Sequence, residues 1–241
     1  MVLEIAKLHH GLGLIQVMAQ RDLFIVLSIL LLCIFAISKV VFPKLFVESI
    51  SVDKLFGFRV KEDLGSTIRP FSTEHIYFTA LFAFNLSFVI LFVVNSLLFD
   101  QGALPLLTFS TVWQGILIWV VLGIVVNLTI YLKYMLIAVA GWLFHTRQVV
   151  SRHFTDYINA SALFYILVSV CLAMSTYATF ISSEIFLKTV ALVIVLFLFY
   201  RTALLYVKLI QLSPYSKLFI FSYICTTELI PILIGLHFVA K

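Results

Sequence analysis

Hydrophobic residues fall in long blocks along the whole chain, separated by short polar stretches. The blocks are about twenty residues long and carry few charges, which suits an α-helix that crosses a hydrocarbon core of ~30 Å. Strands of a membrane barrel would instead alternate apolar and polar residues. The pattern therefore predicts an all-α fold, a polytopic transmembrane helical bundle of about six spans.

Charges, prolines and capping residues set the limits of the spans. Ser72 and Thr73 are candidate N-caps before the second span, with Glu74 in its first turn, and Ser213 followed by Pro214 is typical of a helix start. The six predicted spans cover residues 23–42, 74–98, 113–144, 157–180, 184–208 and 214–240.

One apolar block is longer than a single span requires. Residues 105–144 contain a single charge, Lys133, over forty residues. A straight helix of that length is roughly twice the hydrocarbon thickness. One span with an interfacial or kinked extension is favoured over two spans, because only Gly123 and Gly141 offer weak punctuation for a turn.

Two segments lie outside the predicted spans. Residues 1–22 place Ile5, Leu8, Leu12 and Ile15 at helical spacing, which predicts an N-terminal amphipathic interfacial helix, with a loosely ordered tail as the alternative. The longest polar stretch, residues 44–72, is too short for a domain of its own. It is predicted to form a lobe on which partners dock.

Composition supports a membrane location. Hydrophobic residues make up 63% of the 241, charged residues 11%, and the mean hydropathy is +1.17, far from the balance of soluble chains. The net charge of +5 does not indicate nucleic-acid binding, because the basic residues sit between apolar blocks without a cluster of interleaved aromatics. The three cysteines have no metal or redox spacing and are expected to be packing residues.

Lysine and arginine are concentrated on one side of the predicted membrane. With six spans, the loops after the first, third and fifth spans carry most of them. By the positive-inside rule these loops are cytoplasmic, and both termini are predicted to be periplasmic.

Glu228 is the most informative single residue. It lies about fourteen residues inside the sixth predicted span, roughly 21 Å from the helix start and near mid-bilayer. A carboxylate at that depth is costly and points to a function. Cys225 and Thr227 precede it, and Pro231 follows, whose missing amide frees a carbonyl and predicts a kink.

Lys133 is the natural partner for Glu228. It lies about eleven residues, or roughly 16 Å, from the cytoplasmic end of the third predicted span, at a similar depth. We therefore expect the two to pair directly or through water. In the alternative, Lys133 snorkels to the interface. Asn127 is a further polar residue of this span, for which an interhelical hydrogen bond is the ordinary explanation.

A polar cluster separates the third and fourth predicted spans, where we expect a cytoplasmic loop. It could bind phosphate, lipid headgroups or an acidic partner, or simply obey the charge bias. Neither spacing nor nearby acids complete a metal site there. The residues of this cluster are His145, Arg147, Arg152, His153 and Asp156.

No sequence signature of catalysis is present. The chain has no Gly-rich phosphate loop, no HExxH and no GxSxG turn. We expect neither enzymatic activity nor a cofactor.

The last predicted span carries a family resemblance. Residues 215–239, YSKLFIFSYICTTELIPILIGLHFV, contain Cys225, Glu228 and Pro231 as a C-x-x-E-x-x-P pattern. This pattern resembles an uncharacterised multi-span inner-membrane family of Bacteroidota, a domain of unknown function. The resemblance implies a bacterial cytoplasmic (inner) membrane location and no established activity or cofactor.

Two hypotheses of function follow. The first is a non-catalytic integral membrane subunit that assembles with other envelope membrane proteins, with secretion or translocation as the process it would serve. The second is a small transporter or channel with Glu228 and Lys133 on the pathway. The first is favoured because a single chain without internal repeats and with two buried charges is sparse for transport. A membrane-bound enzyme comes third.

Overall fold

A computed structural model places the described part of the chain entirely in helices and their immediate ends, with no β-strand among those residues. The predicted all-α helical bundle is thereby confirmed. The structure describes residues 2–43, 46–47, 72–98, 109, 111–143, 147–177, 184–212 and 217–233.

Six α-helices follow one another along the described residues. They are α1 (Val2–Val41), α2 (Thr73–Leu98), α3 (Val112–Leu143), α4 (Arg147–Tyr177), α5 (Glu184–Leu212) and α6 (Lys217–Ile224). A π-helical turn, Cys225–Leu229, continues α6 directly.

Five helices are long and apolar enough to cross a membrane. The candidate spans are Gln20–Val41, Thr73–Ser96, Val112–Leu143, His153–Tyr177 and Ile185–Gln211. The described part of the sixth, Leu218–Leu233, is shorter. Residues 214–216 and 234–240 of the predicted sixth span lie outside the described residues.

Helix α1 is one uninterrupted helix of 40 residues. At 1.5 Å per residue it is about 60 Å long, roughly twice the hydrocarbon thickness. The predicted N-terminal segment continues into the span without a break in the helix. The side chains of residues 2–19 lie outside the description, so the prediction of an interfacial face stays a prediction.

Short polar side chains begin α2 and α3. The Ser72 hydroxyl accepts a hydrogen bond from the backbone N–H of His75 at 3.4 Å, as an N-cap does. The Thr111 hydroxyl accepts one from the N–H of Gln114 at 3.4 Å. Helix α3 then runs as one helix of 32 residues, within one residue of both predicted limits.

The polar stretch before the fourth span is helical, which corrects the predicted loop. Helix α4 begins at Arg147, so Arg152, His153 and Asp156 all lie within it. The sequence misled because charged residues inside a helix resemble those of a loop when only hydropathy is considered. His145 and residues 44–45 and 48–71 of the predicted lobe lie outside the described residues.

The chain divides into two compact units that cut across several helices. One comprises Met1–Pro43, Ala83–Val126 and Tyr165–Ala191. The other comprises Lys44–Phe82, Asn127–Phe164 and Leu192–Lys241.

Aromatic packing forms the core of the first unit. The ring of Phe24 on α1 lies 4.6 Å from that of Phe92 and 6.0 Å from that of Phe88, both on α2. Trp119 of α3 donates its indole N–H to the carbonyl of Phe84 at 3.2 Å. A Cβ atom at Gly123 would overlap the Phe84 ring, so glycine allows α2 and α3 to approach closely.

The second unit contains a smaller apolar core and most of the buried charge. Phe164 of α4 stacks on Phe197 of α5 with ring centroids 3.7 Å apart, beside buried Ala160 and Leu163. This packing aligns the polar residues of α4 and α5 that form the site.

Candidate functional site

A π-helical turn positions the central carboxylate. The N–H of Ile230 donates to the carbonyl of Cys225, five residues back, and the next residue, Pro231, has no N–H to continue the ladder. The Thr227 hydroxyl donates to the carbonyl of Tyr223 at 3.0 Å. The turn contains Glu228, whose side chain lies inside the second unit with no exposed surface.

Glu228 contacts two cationic side chains. The Lys133 ammonium of α3 lies 2.8 Å from Oε1 and 2.9 Å from Oε2. Arg201 of α5 donates from Nη2 to Oε2 at 3.1 Å. Side chains from α3, α5 and the π-helical turn thus meet at one carboxylate, and Lys133 pairs directly with Glu228.

Arg201 is held from several directions. Its Nη1 donates to the Ser161 hydroxyl at 2.9 Å, and its guanidinium carbon lies 4.2 Å from the centroid of the Tyr157 ring. Lys133 Nζ lies 3.8 Å from the same centroid. Such cation–π contacts add stability where water is excluded.

His153 completes the contacts of the carboxylate. Its Nε2 lies 3.4 Å from Glu228 Oε1, and its Nδ1 lies 2.7 Å from the Tyr223 hydroxyl. The Nδ1 contact is a hydrogen bond whose donor depends on the tautomer of the ring, whereas the Nε2 contact is a close polar approach without hydrogen-bond geometry.

These residues form the ion cluster, named for its ionic core of Glu228, Lys133 and Arg201 with His153, Tyr157, Ser161 and Tyr223 around it. A buried charge is tolerated only when it is paired and hydrogen-bonded. The Glu228 side chain has both oxygens in contact with donors. The cluster therefore links α3, α4, α5 and the π-helical turn through polar contacts.

The charged core of the cluster is closed except at Lys133. The side chains of Glu228 and His153 have no exposed surface and that of Arg201 is 3% exposed, whereas that of Lys133 is 19% exposed. Tyr157 beside it is half-buried. Among the charged side chains of the cluster, Lys133 is therefore the most open to solvent or a ligand.

The other intramembrane candidates have local roles. Thr227 is buried and bonded within its own helix, Pro231 is exposed, and Cys225 is a half-buried free cysteine. Cys33 and Cys171 are exposed, so the expectation that they pack inside is wrong. In a helix that is apolar on every side, the sequence pattern does not show which face packs against the neighbouring helices.

Asn127 and the remaining polar candidates do not contact Glu228 in the described part of the chain. The Asn127 side-chain oxygen is buried without a hydrogen-bond partner among the described residues, so the expected interhelical bond is not found there. Asp156 is half-buried. The side chains of Arg147 and Arg152 lie outside the description.

Sequence reasoning missed four members of the cluster. Arg201 lies in the last two turns of the predicted fifth span, where a basic residue is ordinary, yet it is 3% exposed. Tyr157 and Ser161 follow His153 at intervals of four residues on α4, which places all three on one face of the helix. That polar stripe was the available signal. Tyr223 offered none, because a single tyrosine within an apolar span has no distinctive pattern around it.

No group of three or more His, Cys, Asp and Glu side chains that could hold a metal ion occurs in the ranges the structure describes. Five apolar helices and a buried ion cluster define the class: a multi-span α-helical membrane protein.

The chain belongs to the family described as a domain of unknown function (DUF4271), whose model matches residues 23–239. No curated protein and no solved structure matches the chain. The family is thus shown, and its activity is open.

Proposed function

We propose that the protein is a non-catalytic integral subunit of a bacterial envelope complex in the cytoplasmic membrane, with other envelope membrane proteins as partners and a role in secretion or translocation. The observation that carries the proposal is the closure of the ion cluster around Glu228, whose side chain has no exposed surface. A buried carboxylate that contacts cations on two other helices stabilises the packing of those helices, and it is not accessible to a substrate.

The energetics of the cluster favour a structural role. Removing one partner of a buried ion pair typically costs ~3–5 kcal/mol, because the other charge is left unpaired. Glu228 meets Lys133 and Arg201 from two different helices. The cluster therefore favours one arrangement of the helices of the second unit, which suits a scaffold for assembly.

Helix α1 supplies a second support. Its candidate span starts at Gln20, while the helix already begins at Val2. The preceding 18 residues or so correspond to about 27 Å of helix. This arm extends a rigid element past the span, where it is available to a partner.

Co-purification tests the proposal. The tagged chain is extracted from its native membrane with a mild detergent, and stoichiometric companions are identified by mass spectrometry. We expect a defined membrane partner that is lost when residues 2–17 are deleted and retained in the full chain. A homogeneous monomer or homo-oligomer from the full chain would overturn the assembly role.

A small transporter or channel is the second candidate, favoured by the partial exposure of Lys133 at the edge of the cluster. On this hypothesis the Lys133–Glu228 pair opens to admit an ion. Flux of protons or chloride into proteoliposomes, abolished in Glu228→Gln and kept in Glu74→Gln, would support transport. Glu74 is the matched control because it is exposed in the first turn of α2. An equal flux through the wild type, Glu228→Gln and Glu74→Gln would rule out transport through the Lys133–Glu228 pair.

A further inference from the structure

We propose that Lys133 is a binding residue for a phosphate group, supplied by the headgroup of an acidic phospholipid at the edge of the ion cluster. The proposal is independent of the assembly role, since a scaffold and a transporter would both carry such a site.

Accessibility singles out Lys133. Its side chain is 19% exposed, against 3% for Arg201 and none for His153 and Glu228. Among the charged side chains of the cluster, Lys133 is therefore the one most accessible to an anion.

Glu228 does not depend on Lys133 for its neutralisation. Without the ammonium, Oε2 keeps Arg201 at 3.1 Å and Oε1 keeps His153 at 3.4 Å. The Tyr157 ring likewise keeps the Arg201 guanidinium at 4.2 Å. Lys133 is thus the one cation that can turn from the carboxylate while each of its partners retains another polar contact.

The depth of Lys133 suits a headgroup. Trp113 and Trp142 are 76% and 61% exposed near the two ends of α3, about 43 Å apart along the helix, which matches a bilayer with its ~40–45 Å headgroup-to-headgroup thickness. Exposed tryptophans prefer those interfaces. Lys133 lies about 13 Å from Trp142, hence about 7 Å below the hydrocarbon edge, a depth from which a lysine stem reaches the interface.

The same membrane side carries further basic residues. Helices α4 and α6 begin at Arg147 and Lys217, shortly after α3 and α5 end, so these starts share the side of the bundle nearest to Trp142. Basic residues at such a surface attract acidic lipids by about 1 kcal/mol each. Lys133 would add a deeper contact, its ammonium donating to phosphate oxygens.

Lipid-dependent stability tests the site. The purified chain is placed in nanodiscs of phosphatidylcholine with increasing phosphatidylglycerol, and thermal unfolding and retained lipid are measured. We expect phosphatidylglycerol to raise the melting temperature of the wild type. Lys133→Met should bind it about fivefold more weakly, while Lys133→Arg keeps the effect. Lys188→Met is the matched control. Lys188 is an exposed lysine near the N-terminal end of α5, thirteen residues before Arg201 of the cluster.

A second measurement needs no variant. Photoactivatable phosphatidylglycerol, cross-linked to the wild-type chain and mapped by peptide mass spectrometry, should label residues 129–137. Inorganic phosphate is added separately to protein in neutral detergent. If inorganic phosphate alone raises the melting temperature, Lys133 binds phosphate but the ligand is a free anion and not a lipid headgroup. Labelling confined to other segments, or an unchanged phosphatidylglycerol effect in folded Lys133→Met, overturns the site.

Discussion

At the scale of single residues, the two cations of the ion cluster, Arg201 and Lys133, differ in burial and in the number of their polar partners. Arg201 is sealed and donates to both Ser161 and Glu228, whereas Lys133 is partly open and contacts Glu228 and a ring. Buried charges cost most when they lose every partner. The consequences of substitution should therefore differ between the two cations.

Glu228→Gln should lower the free energy of unfolding by on the order of 3 kcal/mol, because it leaves the buried Arg201 without its carboxylate. Thermal and denaturant unfolding of detergent-solubilised protein measures the change. The control Glu74→Gln removes an exposed carboxylate of α2 and should stay within about 0.5 kcal/mol of the wild type. Equal melting temperatures for the two variants would contradict a stabilising cluster.

Arg201→Met should destabilise more than Lys133→Met, by about 1–2 kcal/mol. The arginine substitution leaves the Ser161 hydroxyl and Glu228 without a donor that each has in the wild type. The lysine substitution leaves Glu228 with Arg201 and His153. Denaturant midpoints of both variants decide the order, and the reverse order would mean that Lys133 is the main counter-charge.

At the scale of elements, the π-helical turn sets where Glu228 points. A π-turn widens the helix by one residue, and such turns recur at functional sites. Pro231 favours it here because a proline cannot donate the regular hydrogen bond to Thr227.

Pro231→Ala should destabilise the wild type but have a smaller effect in a Glu228→Gln background. The alanine restores an N–H and favours a regular α-helix, which turns residue 228 away from its partners. A double-mutant cycle by thermal unfolding should give a coupling of about 1 kcal/mol. Additive effects would show that Pro231 acts independently of the cluster.

The close approach of α2 and α3 in the first unit depends on Gly123. Gly123→Ala should cost about 1–3 kcal/mol, because the added methyl group meets the Phe84 ring. Phe84→Leu in the same chain supplies space and should recover part of that loss. Unfolding midpoints of the single and double variants measure both effects. A neutral Gly123→Ala would mean that α2 and α3 separate freely.

At the scale of the whole molecule, the order of the helices predicts the topology. Three residues join α3 to α4 and four join α5 to α6, while α4 and α5 are joined by residues 178–183. If each helix crosses the membrane, the two shorter connections share one side. The positive-inside rule assigns that side to the cytoplasm.

Cysteine labelling checks this topology. In a chain with Cys33, Cys171 and Cys225 replaced by alanine, single cysteines are introduced at Ser182, Thr146 and Ser216. A membrane-impermeant maleimide added to intact spheroplasts should label position 182 alone, and the other two positions only after lysis. Labelling of position 146 but not 182 in intact spheroplasts would reverse the orientation. Labelling of both 182 and 216, with 146 protected, would mean that α5 does not cross the membrane.

Much of this fold follows from hydropathy and capping. The limits of α2 and α3 were predicted within one residue, since Ser72 and the long apolar run of α3, with Lys133 as its single charge, mark them locally. The start of α4 was missed, because Arg147 to Asp156 is polar and still helical. The pairing of Lys133 with Glu228 was predicted from depth, which fixes the level in the membrane but does not fix which faces meet.

The sequence by itself determined the helical membrane class and the limits of α2 and α3, and it predicted a similar depth for Lys133 and Glu228, because these depend on local hydropathy and on a constant rise per residue. Only the tertiary structure decided that Arg201 and His153 join the same carboxylate and that Lys133 stays partly open. Those contacts join residues 27 to 95 positions apart. They depend on how helix faces pack, and an apolar helix that is hydrophobic on every side does not specify its neighbours.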